Sequence, residues 1–333
     1  MERPKVYVTR RLFPEVVQRL AQECRVKAWE SDLPVPRPTL LQEARDCDGL
    51  LTLITERVDA ELLEACPRLR VVSNMAVGYD NIDIPEATRR GILVGHTPRV
   101  LTKTTADFAW ALLMAAARLV VRGDRDVRAG RWRTWEPMGW LGQDVHGATL
   151  GIVGLGQIGL EMAKRATGFD MRVLYYDVIR RSTEEEARYR LEFVPTLEAL
   201  LPRCDFVSIH TPLTPQTYHL IGAPQLRLMK PTAILVNTSR GKVVDQKALY
   251  EALRDGFIWA AALDVTEEEP ISPDDPLLTL PNCIITPHIA SASFATRRAM
   301  ANLAVDNLLA GLKGEPMPAC VNPEAVQYRR PGG

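Results

Sequence analysis

The sequence predicts an α/β protein made of two doubly wound parallel sheets. Three observations carry that prediction. At 333 residues, the chain is too long for one ordinary core and suits two domains of roughly 150 residues each. Short β-branched runs alternate with helix-period segments almost from end to end, as parallel strands joined by crossover helices require. The alternation also comes in two series, separated by one long helical stretch.

The first series opens with KVYVT at 5 to 9, followed by the amphipathic PEVVQRLAQE. GLLTLI at 49 to 54 precedes DAELLEAC, and LRVVSNM at 69 to 75 precedes IPEATRRG, where Pro85 fits a first helical turn. One helix is then expected from about Thr104 to Arg128, apolar along Ala109, Leu112, Leu113, Ala116 and Leu119. It reads as the bridge into the second domain, and its apolar face as a surface suited to a dimer. The second series runs ATLGIVG, MRVLYYD, DFVSIHT, AILVNTS, WAAALDV and CIITPH. The last amphipathic segment, SFATRRAMANLAVDNLLAGLKG, cannot make a domain alone and is expected to return to the first one. The expected domains are therefore 1–99 with 290–333, and 100–289, with the closing RRPGG frayed.

Composition narrows the function classes. Lys plus Arg equals Asp plus Glu, 41 each, so no global positive field exists to hold nucleic acid or an acidic membrane surface. The opening MERPKVYVTRRLF lacks the apolar core of a signal peptide. The greasiest helical stretch, FAWALLMAAARLVV, contains Arg118 and falls short of the ~18 residues of a membrane span. Cysteines 24, 47, 66, 204, 283 and 320 are scattered without a Cys-x-x-Cys pair, which suits reduced thiols and a cytoplasmic location.

The phosphate-binding signal is TLGIVGLGQIGLEMAKRA, which places Gly154, Gly156 and Gly159 as G-x-G-x-x-G between a strand and a helix. The spacing meets three demands: a tight turn at Gly154, close backbone approach to a pyrophosphate at Gly156, and helix packing at Gly159. The motif alone is weak, since tight turns use glycine for conformational reasons. Asp177, ending RVLYYD about 20 residues on, strengthens it: a carboxylate there accepts ribose hydroxyls and repels a 2′-phosphate. NAD is favoured, and Arg180 and Arg181 close behind leave NADP as the alternative.

Three more residues sit at strand ends, where open α/β sheets place their ligands. They are Arg240 in ILVNTSRGKVVD, Asp264 with Glu269 in AALDVTEEEP, and His288 in ITPHIASA. Each alone has an ordinary structural explanation. Three together, downstream of a dinucleotide cradle, point to catalysis. No second histidine or cysteine lies at ligand spacing from His288, which disfavours a metal site.

With VGYDNID (77 to 83), TTADFAWALL (104 to 113), GLGQIG, MKPTAILVNTSRGKVVD (229 to 245), LDVTEEEP and TPHIASA, the sequence resembles the D-isomer-specific 2-hydroxyacid dehydrogenases over nearly its whole length. WEPMGWLG and NLLAGLKGEPMP make it most similar to the glyoxylate/hydroxypyruvate reductase branch. The resemblance implies a flavodoxin-like substrate domain and a Rossmann coenzyme domain with the active-site cleft between them. It implies His288 as the acid/base, Glu269 as its orienting carboxylate and Arg240 as the substrate-carboxylate clamp. It also implies substrate contacts from Leu53 and from the N–H groups of Val77 and Gly78. The cofactor contacts it implies come from Leu155, Gln157 and Ile158 at the pyrophosphate, and from Thr105, Thr238, Ser239, Asp264 and Ala290. Ala290 departs from the family pattern, which has glycine there, and its methyl narrows that pocket.

The expected reaction is NAD(P)H-dependent reduction of a small 2-oxo acid such as glyoxylate or hydroxypyruvate. A planar guanidinium binds the carboxylate and polarises the adjacent carbonyl in one geometry. An imidazolium, favoured by a neighbouring carboxylate, protonates the nascent alkoxide. A homodimer is expected; the resemblance implies that the loop holding Trp135 and Trp140 presents an aromatic residue at the neighbouring subunit's site, with ordinary interface packing as the alternative. Two alternatives share the fold and triad: a phosphite dehydrogenase, which carries lysine where Val77 stands, and an NAD-sensing corepressor-like binding protein.

Overall fold

The computed structural model describes residues 2–328; the RRPGG segment lies outside them. The chain divides into two compact units, Met1–Leu101 with Ala292–Gly333, and Thr102–Ser291. Both junctions fall two residues beyond the expected positions.

The first unit contains β1 (Lys5–Val8), α1 (Pro14–Glu23), β2 (Arg25–Ala28), α2 (Arg37–Ala44), β3 (Gly49–Thr52), α3 (Ala60–Ala65), β4 (Val71–Asn74), α4 (Ile84–Arg89) and β5 (Leu93–Gly95). Its sheet is parallel throughout, in the order β2-β1-β3-β4-β5. Every residue of the central β3 and β4 is buried, as expected for parallel strands covered on both faces. Tyr7, Leu50, Val72 and Val94 meet α2, α3 and α4 on one face.

The second unit contains α5 (Thr102–Ala117), α6 (Val120–Arg128), β6 (Thr149–Val153), α7 (Gln157–Ala166), β7 (Arg172–Tyr176), α8 (Thr183–Tyr189), β8 (Leu191–Phe193) and α9 (Leu197–Leu200). It continues with β9 (Phe206–Ile209), α10 (Ala223–Leu228), β10 (Ile234–Asn237), α11 (Gln246–Arg254), β11 (Ala260–Leu263) and β12 (Cys283–Ile285). The seven strands are parallel in the order β12-β11-β10-β9-β6-β7-β8. Strand order reverses between β6 and β9, and the Gly-rich turn follows β6 directly. Alternate strand residues feed opposite faces: Leu150, Ile152 and Val236 meet α5 and α7, whereas Val207, Leu235 and Leu263 meet α9 to α11.

The last helix, α12 (Phe294–Lys313), returns to the first unit and lies on β3 and β4. The Ser73 hydroxyl donates to the Ala304 carbonyl at 2.7 Å, and the Asn307 amide to the His96 carbonyl at 2.8 Å. Gly49 and Gly311 mark close approach: a Cβ at either would fall 2.9 Å from Leu308 or 2.8 Å from Val71.

Two expectations are corrected. The continuous helix from 104 to 128 is broken, because Leu119 adopts a left-handed φ of 55° and α6 leaves α5 at 61°. The cause is tertiary: the Ala117 carbonyl accepts the Gln143 N–H at 2.8 Å, which ends the helical ladder. Only glycine at 142 permits that approach, since a Cβ there would meet the same carbonyl at 2.2 Å. The apolar face of α5 is also not a dimer surface. Ala109, Leu112, Leu113 and Ala116 are buried in the unit's own core against β10, β11 and α7, where each leucine contributes ~2 kcal/mol of transfer free energy. Among the described residues, no single helix is long and apolar enough to cross a membrane.

Candidate active site

The Gly-rich turn is built as its spacing requires at two positions and leaves room at the third. Gly154 has φ +90°, and a Cβ there would press on the His210 carbonyl at 3.0 Å. At Gly159 a Cβ would lie 2.3 Å from the Gly154 carbonyl, so the turn and α7 can be this close only without a side chain. Gly156 differs: its φ is −70°, and a Cβ would meet nothing within 4 Å. Neither backbone strain nor protein packing demands glycine there. The space in front of it faces the N-terminus of α7, whose first-turn N–H groups suit a phosphate.

Asp177 follows β7, and its carboxylate accepts the Leu155 N–H at 2.7 Å and the Ile179 N–H at 3.1 Å. Leu155 is fully buried, with its N–H on Asp177 and its carbonyl taken by Arg181, so it shapes the turn and presents no free group of its own. Arg181 donates from Nε to the Leu155 carbonyl at 3.1 Å, which puts a cation beside the same turn. Arg180 is held by a bidentate pair with Glu186 at 2.9 and 2.8 Å. On α5, Thr105 is buried. Gln157 accepts a hydrogen bond from the Thr102 hydroxyl at 3.4 Å, and Ile158 is half-buried beside it in the first turn of α7.

The side chains expected to react lie at the carboxyl ends of three neighbouring strands. Asn237, Leu263 and Ile285 end β10, β11 and β12 in one register. Arg240, the loop 264–270 and His288 follow them. His288 Nδ1 sits 2.7 Å from a carboxylate oxygen of Glu269, whose other oxygen accepts the Thr266 N–H at 3.2 Å. Gly241 lets the β10 and β11 loops touch, because a Cβ there would stand 1.9 Å from the Thr266 carbonyl. The Asn237 side chain braces the arginine turn, accepting from the Ser239 N–H and hydroxyl and donating to the Arg240 carbonyl at 2.9 Å. The buried Thr238 hydroxyl has no hydrogen-bond partner among the described residues. That orphan and the open space at Gly156 both fit a bound dinucleotide.

Asp264 is committed elsewhere. Its two oxygens accept the Thr286 hydroxyl at 2.7 Å and the N–H groups of Ile289 and Ala290 at 2.8 and 2.7 Å. With the His288 N–H donating to the Asp264 carbonyl at 3.0 Å, this buried carboxylate shapes the turn in which His288 holds φ +54°.

In the first unit, Leu53 and the 76–79 turn follow β3 and β4. The Leu53 N–H donates to Glu56 at 2.8 Å. Among the described residues, no hydrogen bond within the protein is found from the N–H of Val77 or Gly78.

Comparison with known proteins agrees with this architecture. Residues 110–290 match the model of the D-isomer specific 2-hydroxyacid dehydrogenase NAD-binding domain. A glyoxylate reductase of Korarchaeum cryptofilum (strain OPF8) is 55% identical over 331 residues, 99% of each chain. The chain belongs to the D-isomer-specific 2-hydroxyacid dehydrogenase family. A crystal structure from Thermus thermophilus superposes with a TM-score of 0.89 at 44% identity, covering 95% of this chain and 99% of that one. The NADPH-dependent glyoxylate/hydroxypyruvate reductase of Sinorhizobium meliloti, solved with NADP and malonate, gives 0.84 at 33% identity over 99% and 100%. The protein is thus an oxidoreductase, and its second unit carries the family's NAD-binding domain.

Within this dehydrogenase, sequence reasoning missed several supporting residues. Thr286, Thr266 and Asn237 hold the loops that carry the candidate residues, and Asn237, a polar residue ending the apolar strand ILVN, carried a readable signal. His210 was also missed. It follows β9 directly, beside the Gly-rich turn, and its Nε2 is 2.8 Å from the Ser208 hydroxyl. Burial holds its pKa down at about 4, whereas an unfolded histidine titrates near ~6.5. Between those values the unfolded chain binds the extra proton, so stability falls as pH drops from ~6.5 towards 4, by at most ~3 kcal/mol. Thermal midpoints across that window should show the loss, and His210→Gln should flatten it.

Proposed function

We propose that the protein reduces glyoxylate, and hydroxypyruvate as a second small 2-oxo acid, to the 2-hydroxy acid. The observation that carries this reading is the His288–Glu269 pair at 2.7 Å, at the sheet edge that also presents Arg240. The relatives' activity as glyoxylate reductases supports the substrate class.

A bound reduced nicotinamide supplies the hydride. The protein's part is to hold the acid and manage charge. Arg240, as a planar fork, binds the carboxylate and polarises the neighbouring carbonyl. His288 donates a proton from its Nε2 to the oxygen that gains charge, while Nδ1 remains on Glu269. Glu269 fixes the ring's orientation through Nδ1. Thr238, Ser239 and Ala290 line the nicotinamide end, with Asp264 positioning the turn rather than offering a free oxygen. Gly154, Gly156, Gln157 and Ile158 take the pyrophosphate, and Asp177 the adenosine ribose, which favours NADH; Arg181 beside it admits NADPH. The test is a steady-state panel of glyoxylate, hydroxypyruvate, pyruvate and phosphite with each nicotinamide. Turnover of glyoxylate with either cofactor is the expected result. Its absence, alongside intact cofactor binding, would sink the reading.

For assembly, we infer a homodimer formed through α6 and the 130–142 loop. No residue of α6 is buried, and Trp132, Trp135 and Met138 are 62%, 80% and 80% exposed. Trp140 instead donates its indole N–H to Asp126 of its own chain at 2.7 Å, leaving Trp135 as the residue able to reach a partner. Six free cysteines, five of them buried, suit a cytoplasmic location. Light scattering on the purified protein tests the dimer.

A further inference from the structure

The 76–79 turn presents three consecutive peptide groups whose carbonyls are all held from behind. The Ala76 carbonyl accepts the Thr97 N–H at 2.7 Å. The Val77 carbonyl accepts from His96 Nδ1 at 2.9 Å. The Gly78 carbonyl accepts from the Asn74 side-chain amide at 3.1 Å. That amide is itself oriented, since its oxygen takes the Thr52 hydroxyl at 3.2 Å and its nitrogen also donates to Asn81 at 3.2 Å.

In a trans peptide the C=O and the following N–H point in opposite directions. Pinning the carbonyls of residues 76, 77 and 78 therefore turns the N–H groups of Val77, Gly78 and Tyr79 to the other side. Among the described residues, none of those three donates a hydrogen bond within the protein. N–H groups without a partner in the protein are donors that an anion can take. Two of the three anchors come from backbone or from a fully buried asparagine. The third is a half-buried histidine, whose ring also meets Tyr79 edge-on at a centroid distance of 5.5 Å.

We propose that His96 is a positioning residue for the substrate: by donating to the Val77 carbonyl it aims the Gly78 N–H at the carboxylate of the 2-oxo acid, and Tyr79 supplies a third N–H donor. This rests on the reading that the Val77 and Gly78 N–H groups take that carboxylate. The role needs a donor at the δ position and not a charge. Asparagine places an N–H donor at the same distance along its side chain; phenylalanine keeps the ring and its Tyr79 contact but has no donor.

The test compares His96→Phe with His96→Asn. His96→Phe should raise the KM for glyoxylate ~5- to 10-fold, the scale of one hydrogen bond, with kcat and the cofactor KM within about twofold of the parent. His96→Asn should restore the parental KM. A general structural role would instead depress kcat and cofactor binding together, without rescue by asparagine. In parallel, backbone amide signals are followed by NMR during titration with oxalate, an unreactive carboxylate. The Gly78 amide should move in the parent and in His96→Asn, and move less in His96→Phe. A folded His96→Phe enzyme with unchanged KM overturns the proposal while parental amide shifts keep the underlying reading intact. Parental Val77 and Gly78 amides that ignore oxalate overturn both. Should phenylalanine prevent folding, His96→Ala is judged by the same readouts.

Discussion

Replacing His288 by alanine is expected to lower kcat for glyoxylate reduction by ~10²- to 10⁴-fold, the usual contribution of a positioned proton donor. The loss should appear in kcat with little change in cofactor affinity, because the Gly-rich turn and Asp177 lie on other strands of the sheet. The imidazole is held in an uncommon backbone conformation, φ +54°, by hydrogen bonds from its neighbours to Asp264. Alanine leaves those bonds in place, so the effect reads the ring alone. Glu269→Gln removes the charge and retains an oxygen that can face Nδ1, and should fall short of the alanine loss. Cofactor binding by fluorescence titration and single-turnover rates separate these cases. Near-parental turnover in His288→Ala would exclude the ring from proton transfer.

Gly241→Ala is expected to be damaging although it touches no reacting group. A Cβ there would lie 1.9 Å from the Thr266 carbonyl oxygen, 2.0 Å from its carbon and 2.5 Å from the Glu267 nitrogen. All three are backbone atoms, so no rotamer change relieves the clash. The β10 and β11 loops must part, and those loops carry Arg240 and Glu269. Overpacking of this kind costs ~3 kcal/mol or more, and a displacement of about 1 Å costs roughly 10²-fold in rate. Urea denaturation and kcat/KM should register both losses. Gly168→Ala is the control: nothing lies within 4 Å of its Cβ, and its stability should stay within ~0.5 kcal/mol of the parent.

The parts of the fold legible in the sequence are those where local pattern and tertiary burial coincide. β3, β4, β6, β9 and β10 are short apolar runs because both faces of a parallel sheet are covered. β2 escaped notice because it is an edge strand, exposed or half-buried throughout, with the sequence RVKA. β5 and β8, three residues each, are too short to show a period. The break at Leu119 was illegible because ARLVVR is locally helical, and the group that ends the helix, the Gln143 N–H, is 26 residues from Ala117. The candidate reactive residues stand out in the sequence because the proposed chemistry restricts residue type. Most of their supports do not: the commitment of Asp264 to the turn 286–290, and of His96 to Val77, are contacts between loops that no spacing rule encodes.

The return of α12 to β3 and β4 imposes an order on maturation. Ser73 must wait for Ala304, 231 positions later, before its side of the sheet is covered. During synthesis the second unit, Thr102–Ser291, leaves the ribosome whole while the first still lacks its closing helix. The nascent amino-terminal segment therefore carries an uncovered apolar sheet face for most of translation. Chaperone capture of chains stalled before residue 294 would be the cellular trace of that delay.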